Sequence, residues 1–132
     1  MKFDLAQTIL SAAQAAAADA DVSVAIAVLD AGAHLVAFTR ADGAPIGTID
    51  VSQRKARTAA LFQTDSADLG SGTGAGGASY TFEYTNGGLI VFGGGVAVRD
   101  ASGAFLGAIG VAGATVDQDQ AIAKAAAQAL FA

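Results

Sequence analysis

A chain of 132 residues is long enough for one domain, which can bury a hydrophobic core without covalent cross-links. The absence of cysteine excludes disulfides, thiolate metal sites and cysteine nucleophiles, and it is typical of a reducing compartment. A net charge of −5, with only seven Lys and Arg residues, excludes a surface that follows nucleic-acid phosphates, because such a surface needs clustered cations.

Two further features of the composition bear on location and assembly. No run approaches the ~18 apolar residues of a membrane span, and Asp4 lies where a signal peptide would have its apolar segment. We therefore expect a cytoplasmic protein with no membrane contact. Charged residues make up 14% of the chain, below the ~25% of typical soluble domains. A surface so poor in charge predicts a homo-oligomer.

An Ala-rich helix and a β-hairpin are predicted at the start of the chain. Asp4 and Gln7 have a spacing like that of a capping box, so the helix is expected over residues 4–19. Residues 22–29 are apolar on both alternating faces, as in a strand that is covered on two sides. The turn-forming sequence Asp-Ala-Gly-Ala then leads into a partner strand over residues 34–40.

A second helix is predicted over about residues 47–63. Lys55 lies within its apolar stripe, whereas Arg54 and Arg57 point elsewhere. A lysine in this position either extends its amine to water along a buried stem or meets an acid inside the protein. The candidate partners are Asp30, Asp50 and a bound anion.

Residues 65–86 are predicted to be irregular, with a glycine-rich centre at residues 70–77. The segment 72–77 matches the pattern G-x-G-x-x-G, but the strand before it and the helix after it that dinucleotide binding requires are both missing. A flexible loop or lid is favoured instead. Loops of this length in a compact domain are usually functional, mobile or both.

The last third of the chain predicts three strands and a helix. The strands are expected over residues 88–92, 96–99 and 105–112, joined by hairpin-like turns. Thr115 and Gln118 form a capping box ahead of a C-terminal helix. The whole order predicts a single domain over residues 1–132. Its class is α/β (α+β), with a five-stranded, mainly antiparallel sheet covered by helices.

Two polar positions of the hairpin are candidates for chemistry. His34 is the only histidine, and a lone histidine near the start of a strand is more often structural than functional. Arg40 lies six residues further along the same strand. At ~3.3 Å per residue they are about 20 Å apart, so they cannot hold one small ligand together. Arg40, with Asp42 after it, is either a solvated strand end or a carboxylate clamp.

The loop before the last strands concentrates functional groups. Glu83 is the only glutamate of the chain, and it is flanked by Tyr80, Phe82 and Tyr84. The segment is either a structural plug over the sheet or a lid that closes over a ligand. If it closes, Glu83 is the best available general acid or base.

Three groups of residues resemble the GlcG/HbpS-like family. They lie in the hairpin (26–30, 32, 35–38 and 40–44), in the second helix (55–59) and in the last third of the chain (93–98, 106–113 and 119–123). The resemblance spans nearly the whole chain and implies a profilin-like, three-layer α/β/α fold that is usually oligomeric. The chain departs from the family's pattern at Ala97 and in the glycine-rich segment 70–77, where many relatives carry prolines.

The resemblance implies a small-molecule-binding oligomeric domain whose ligand is a heme, a corrinoid or a small organic acid. If heme binds, His34 is the first candidate for the iron ligand, ahead of Tyr80, Tyr84 and Met1, since cysteine is absent. No other metal site is expected. The predicted ligand-binding residues are Arg40, Asp42, Lys55, Tyr84, Phe92, Gly93 and Gly94.

The alternative function is an enzyme of a catabolic pathway that acts on a small carboxylate by hydrolysis, isomerisation or proton transfer. Arg40 would hold the carboxylate, and Lys55 would add positive charge. Glu83 or Asp30 would move a proton, because no pair of nucleophile and base is visible. A purely structural or signalling role as an interaction partner is a third possibility.

Overall fold

The computed structural model describes residues 1–131, in which helices cover both faces of an antiparallel sheet. The elements are α1 (Phe3–Asp19), β1 (Ala25–Asp30), β2 (Leu35–Arg40), α2 (Thr48–Phe62), β3 (Gly95–Arg99), β4 (Phe105–Ala112) and α3 (Val116–Ala127). The strands lie in the order β2-β1-β4-β3, and each neighbouring pair is antiparallel. Short 3₁₀ turns follow α2 at Ser66–Leu69, precede β3 at Phe82–Tyr84 and end the described chain at Gln128–Phe131. The mixed α and β class and the antiparallel sheet are as predicted.

The sheet of the described chain has four strands rather than five, because residues 88–92 do not pair with a neighbour. The backbone amides of Leu89 and Ile90 are bonded elsewhere. The Leu89 amide donates to the carbonyl oxygen of Glu83 at 2.8 Å, and the Ile90 amide donates to Thr58 Oγ1 at 3.0 Å. Since the loop and a side chain of α2 already satisfy these donors, no strand forms there.

The two predicted capping boxes have different outcomes. At α3 the prediction is confirmed, because Thr115 Oγ1 accepts from the Gln118 amide and Gln118 Oε1 accepts from the Thr115 amide. At α1 it is wrong, because the helix begins at Phe3 and its cap residue is Lys2, with no side-chain cap. Asp4 lies inside the first turn, where its charge is favourable to the helix dipole.

The sheet separates two hydrophobic layers. The larger core lies between the sheet and the pair α1 and α3, and it includes Ile9, Val28, Val111 and Ile122. The other face is covered by α2 through alanines, as where Ala56 packs on residues of β1. The described chain therefore has three layers. None of its helices combines the length and the apolar character that crossing a membrane requires.

The backbone of α2 lies directly on the backbone of the sheet. Gly95 and Gly110 are partners across β3 and β4. A β-carbon on Gly110 would overlap the carbonyl oxygen of Ser52, and one on Gly95 would overlap the carbonyl oxygen of Lys55. The two glycines therefore set the distance between helix and sheet, and this close approach places Lys55 against β4.

Candidate functional site

Lys55 lies inside the protein, with 2% of its surface exposed. Its Nζ donates to Asp119 Oδ2 and to the carbonyl oxygen of Val111, each at 2.9 Å. The same atom lies 5.2 Å from the centre of the Phe92 ring, within the range of a cation–π contact. Two hydrogen bonds and an aromatic face satisfy the ammonium group, which favours a structural role for it.

The acid that pairs with Lys55 is not one of those predicted from the sequence. The alternative in which the amine reaches water is wrong, and the acid is neither Asp30 nor Asp50. It is Asp119, which is buried as deeply as the lysine. Its second oxygen, Oδ1, accepts from the Ala114 amide at 3.0 Å, so both carboxylate oxygens have donors.

A signal for this pair was present in the sequence. Asp119 precedes Ile122 and Ala126 by three and seven residues, which is the spacing of the apolar stripe of α3. Lys55 occupies the equivalent position on α2. A lysine in the apolar stripe of one helix and an aspartate in the apolar stripe of another predict a buried ion pair between the two helices.

The glycine-rich turn before β3 packs around this pair. Gly94 has φ +125°, and a β-carbon on it would lie 2.7 Å from Lys55 Nζ. Its amide donates to Gln120 Oε1 at 2.8 Å, while Gly93 lies against the side chain of the same glutamine. The structure thus brings together four of the predicted ligand-binding residues: Lys55, Phe92, Gly93 and Gly94. Except for the half-exposed Phe92 ring they are buried, and they form a packed cluster rather than an open pocket.

Arg40 and Asp42 lie apart from this cluster, on the surface. Arg40 ends β2 opposite Ala25, at the far end of the hairpin from His34, and both Arg40 and Asp42 are exposed. Within residues 1–131 neither side chain makes a hydrogen bond or an ion pair. The carboxylate clamp at Arg40 stays a prediction.

Glu83 and Tyr84 lie in the 3₁₀ turn before β3. The Phe82 ring of this turn packs edge-on against Phe62 of α2, with ring centres 5.2 Å apart. Glu83 Oε1 is buried and has no hydrogen-bond partner among the described residues, while Tyr84 is 82% exposed. The aromatic contact anchors the segment to the helix, which favours the plug over the lid.

Asp30 organises the hairpin turn and holds the imidazole of His34. Its Oδ1 accepts from the backbone amides of Gly32 and His34 at 2.9 Å, and it lies 3.2 Å from His34 Nδ1. The backbone amide of His34 is the strongest of the influences that lower the pKa of Asp30 below its ordinary value. A β-carbon on Gly32 would lie 2.8 Å from the imidazole, so the glycine leaves room for the ring.

The imidazole itself is 80% exposed. Because its Nδ1 faces the ionised Asp30, the tautomer with the proton on Nδ1 is favoured. Nε2 then carries the free lone pair and faces water. His34 is therefore an oriented histidine with an available nitrogen, and this is the donor that a metal or a heme iron would need.

An open cavity of about 470 Å³ lies between the hairpin, α2 and the loop before β3. It is lined by Leu29, Ala33, Leu35, Asp50, Gln53, Arg54, Arg57, Asn86 and Gly87. No residue predicted for the site is among them. Arg54 and Arg57 lie off the apolar stripe of α2, so this stripe did not mark them as site residues. Their spacing of three residues, which places both on one helix face, was the signal that could have found them.

Comparisons with known proteins agree with this architecture. The chain is similar to an uncharacterized 15.0 kDa protein from the dhaT-dhaS intergenic region of Citrobacter freundii, with 32% identity over 92% of this chain and 85% of that protein. The structure is similar to that of Klebsiella pneumoniae protein ORFY, with 31% identity, a TM-score of 0.95, and coverage of 100% of this chain and 91% of that one.

Two further matches concern heme. The crystal structure of the PduOC:heme complex has 28% identity and a TM-score of 0.90, covering 98% of this chain and 94% of that one. The family model described as haem degrading protein HbpS-like matches residues 1–128. The predicted resemblance is thereby confirmed, and the chain belongs to the HbpS-like family.

Proposed function

We propose that this protein binds heme, with His34 as the iron ligand. The proposal is supported by the family and by the heme complex of the structural relative PduOC. The observation in this chain that carries it is the exposed imidazole held by Asp30. Tyr80 and Tyr84 are weaker candidates, because no neighbouring side chain within the described residues orients their hydroxyl groups.

The residues of the hairpin turn fit this role chemically. A ligating histidine commonly donates its other ring N–H to a carboxylate, which fixes the ring and makes the free nitrogen more basic. Asp30 and His34 have this arrangement before any ligand binds. The heme would supply the redox chemistry of its iron, while the chain would supply one oriented nitrogen.

Titration with hemin tests the proposal. The wild-type protein is expected to give a saturable Soret shift, and His34→Ala is expected to abolish it. Asp30→Asn should weaken binding about tenfold, as loss of an outer-shell partner does at metal sites. Asp100 offers a matched control because it accepts amide hydrogen bonds in the turn between β3 and β4 in the same way, with no histidine beside it. Asp100→Asn should leave heme binding unchanged.

One result would contradict the assignment of the ligand. If His34→Ala and the wild type give the same heme spectrum, the iron ligand is another residue. If neither protein gives a shift, the proposal of heme binding fails. Circular dichroism of each variant separates loss of the ligand from loss of the fold.

We also propose that the protein assembles as a homo-oligomer. The low charge supports this, as do large apolar side chains that one copy leaves in water, among them Ile46 and Phe92. Light scattering at micromolar concentration should give a multiple of the 12.9 kDa chain mass, with and without hemin. A monomeric mass in both samples would refute the assembly.

The alternative of an enzyme acting on a small carboxylate stays a prediction, and the positions of its groups give it little support. The Lys55 amine contacts Val111, which is paired with Ile26. Asp30 lies four residues beyond Ile26 along β1, which places it about 13 Å from Ile26. Lys55 and Asp30 are therefore too far apart to act on one small substrate.

A further inference from the structure

The cavity beside α2 has one apolar wall and one polar wall. The apolar wall belongs to the hairpin and consists of Leu29, Ala33 and Leu35. The polar wall is formed by α2 and by the loop at residues 86–87. The volume of the cavity, about 470 Å³, lies within the range of small-molecule sites. Such a cavity suits a molecule with an apolar body and a polar head.

The two arginines of the polar wall have unused donors. Arg54 donates from Nε to Asp50 Oδ2 at 2.8 Å and from Nη1 to the carbonyl oxygen of Gly87 at 2.8 Å. Arg57 donates from Nη1 to the carbonyl oxygen of Asn86. Within residues 1–131, both Nη2 groups and the Nε of Arg57 have no acceptor. A guanidinium group has five N–H donors, so each can still bind an anion.

The loop carbonyls hold the guanidinium groups in place. Asn86, Gly87 and Gly88 are three consecutive residues with φ between +53° and +109°, a conformation that aims their carbonyl oxygens at α2. Arg54 and Arg57 lie one helical turn apart on the same face. Side chains that are already ordered lose less entropy when a ligand binds.

The charge of the lining selects the ligand class. Arg54 and Arg57 contribute two positive charges and Asp50 one negative charge, which leaves +1 in a chain of net charge −5. Arginine binds a carboxylate through two parallel hydrogen bonds. A second negative charge on the ligand would meet Asp50, so a monoanion is favoured over a dianion.

We infer that this cavity binds a small monocarboxylate with an apolar body, its carboxylate on Arg54 and Arg57 and its apolar part against Leu29 and Leu35. His34, the proposed heme ligand, is not among the lining residues, but its chain neighbours Ala33 and Leu35 are, so the cavity adjoins the proposed heme ligand. The cavity does not include Arg40, for which the sequence left a carboxylate clamp as one of two interpretations.

Calorimetry with benzoate tests the inference, with benzamide as a neutral molecule of the same shape and inorganic phosphate as a second anion. Benzoate is expected to bind saturably, and at least tenfold more tightly than either benzamide or phosphate. Arg57→Gln should weaken benzoate binding at least tenfold. Arg99→Gln is the matched control, because Arg99 also donates to loop carbonyls but lies outside the cavity.

A second variant is needed because Arg57→Gln also removes the hydrogen bond to the loop carbonyl of Asn86. Leu35 is half exposed and lines the apolar wall, so Leu35→Glu should fold while repelling the carboxylate. It is expected to weaken benzoate binding at least tenfold as well. Equal binding of benzoate and benzamide, tighter binding of phosphate, no benzoate binding, or unchanged binding in both variants would overturn the inference.

Discussion

Replacing Lys55 with methionine is expected to lower the free energy of unfolding by about 3–5 kcal/mol, because Asp119 is left buried without its cation. Asp119→Leu should cost a similar amount, since it leaves the buried ammonium with only the Val111 carbonyl and the Phe92 ring. Urea unfolding followed by circular dichroism measures both losses.

The double variant separates the two explanations of such a loss. If the cost comes from a buried charge left alone, Lys55→Met combined with Asp119→Leu should recover most of the stability, because apolar replacement of a whole buried pair is often neutral. Lys124→Met is the control, since Lys124 is exposed and forms no ion pair within the described residues. Additive losses in the double variant would show that shape rather than charge is decisive here.

Gly110→Ala is expected to destabilise the protein by about 3 kcal/mol or more, the upper end of the cost of overpacking. The added methyl group would overlap the carbonyl oxygen of Ser52 and lie 2.6 Å from the Ala56 amide nitrogen. Both atoms belong to the backbone of α2, so no side-chain rotation relieves the contact. The whole helix has to move away from the sheet.

A loop glycine provides the control for this effect. A β-carbon on Gly74 meets nothing within 4 Å, and its φ is not positive, so Gly74→Ala should change stability by less than about 0.5 kcal/mol. Thermal unfolding of the two variants under one condition compares them directly. Equal stabilities would mean that α2 adapts to a larger spacing at no cost.

Much of the local structure could be predicted from the sequence. The apolar run over residues 105–112 after a turn sequence, and the capping box at Thr115, specify β4 and the start of α3 through contacts between near neighbours. The position of Lys55 within an apolar stripe indicated a buried stem, but it left open whether the amine reaches water or meets an acid. These features are local, because the hydrogen bonds and side-chain spacings of a helix or hairpin involve residues close in the chain.

Only the tertiary structure decided which distant groups meet. Lys55 and Asp119 are 64 residues apart, and their pairing depends on how α2 and α3 approach opposite faces of the sheet edge at β3 and β4. Residues 88–92 have the composition of a strand. The Ile90 amide, which a strand would donate to its neighbour, donates instead to Thr58 Oγ1 of α2.

The candidate sites divide in the same way. The turn of Asp30 and His34 is a local structure, and the sequence predicted each of the two residues as a candidate, though not their contact. The cavity was not, because its walls come from a hairpin, a helix and a loop that only the fold brings together. Periodicity shows which side of a helix is polar, but it does not show what lies opposite, and a pocket needs both walls.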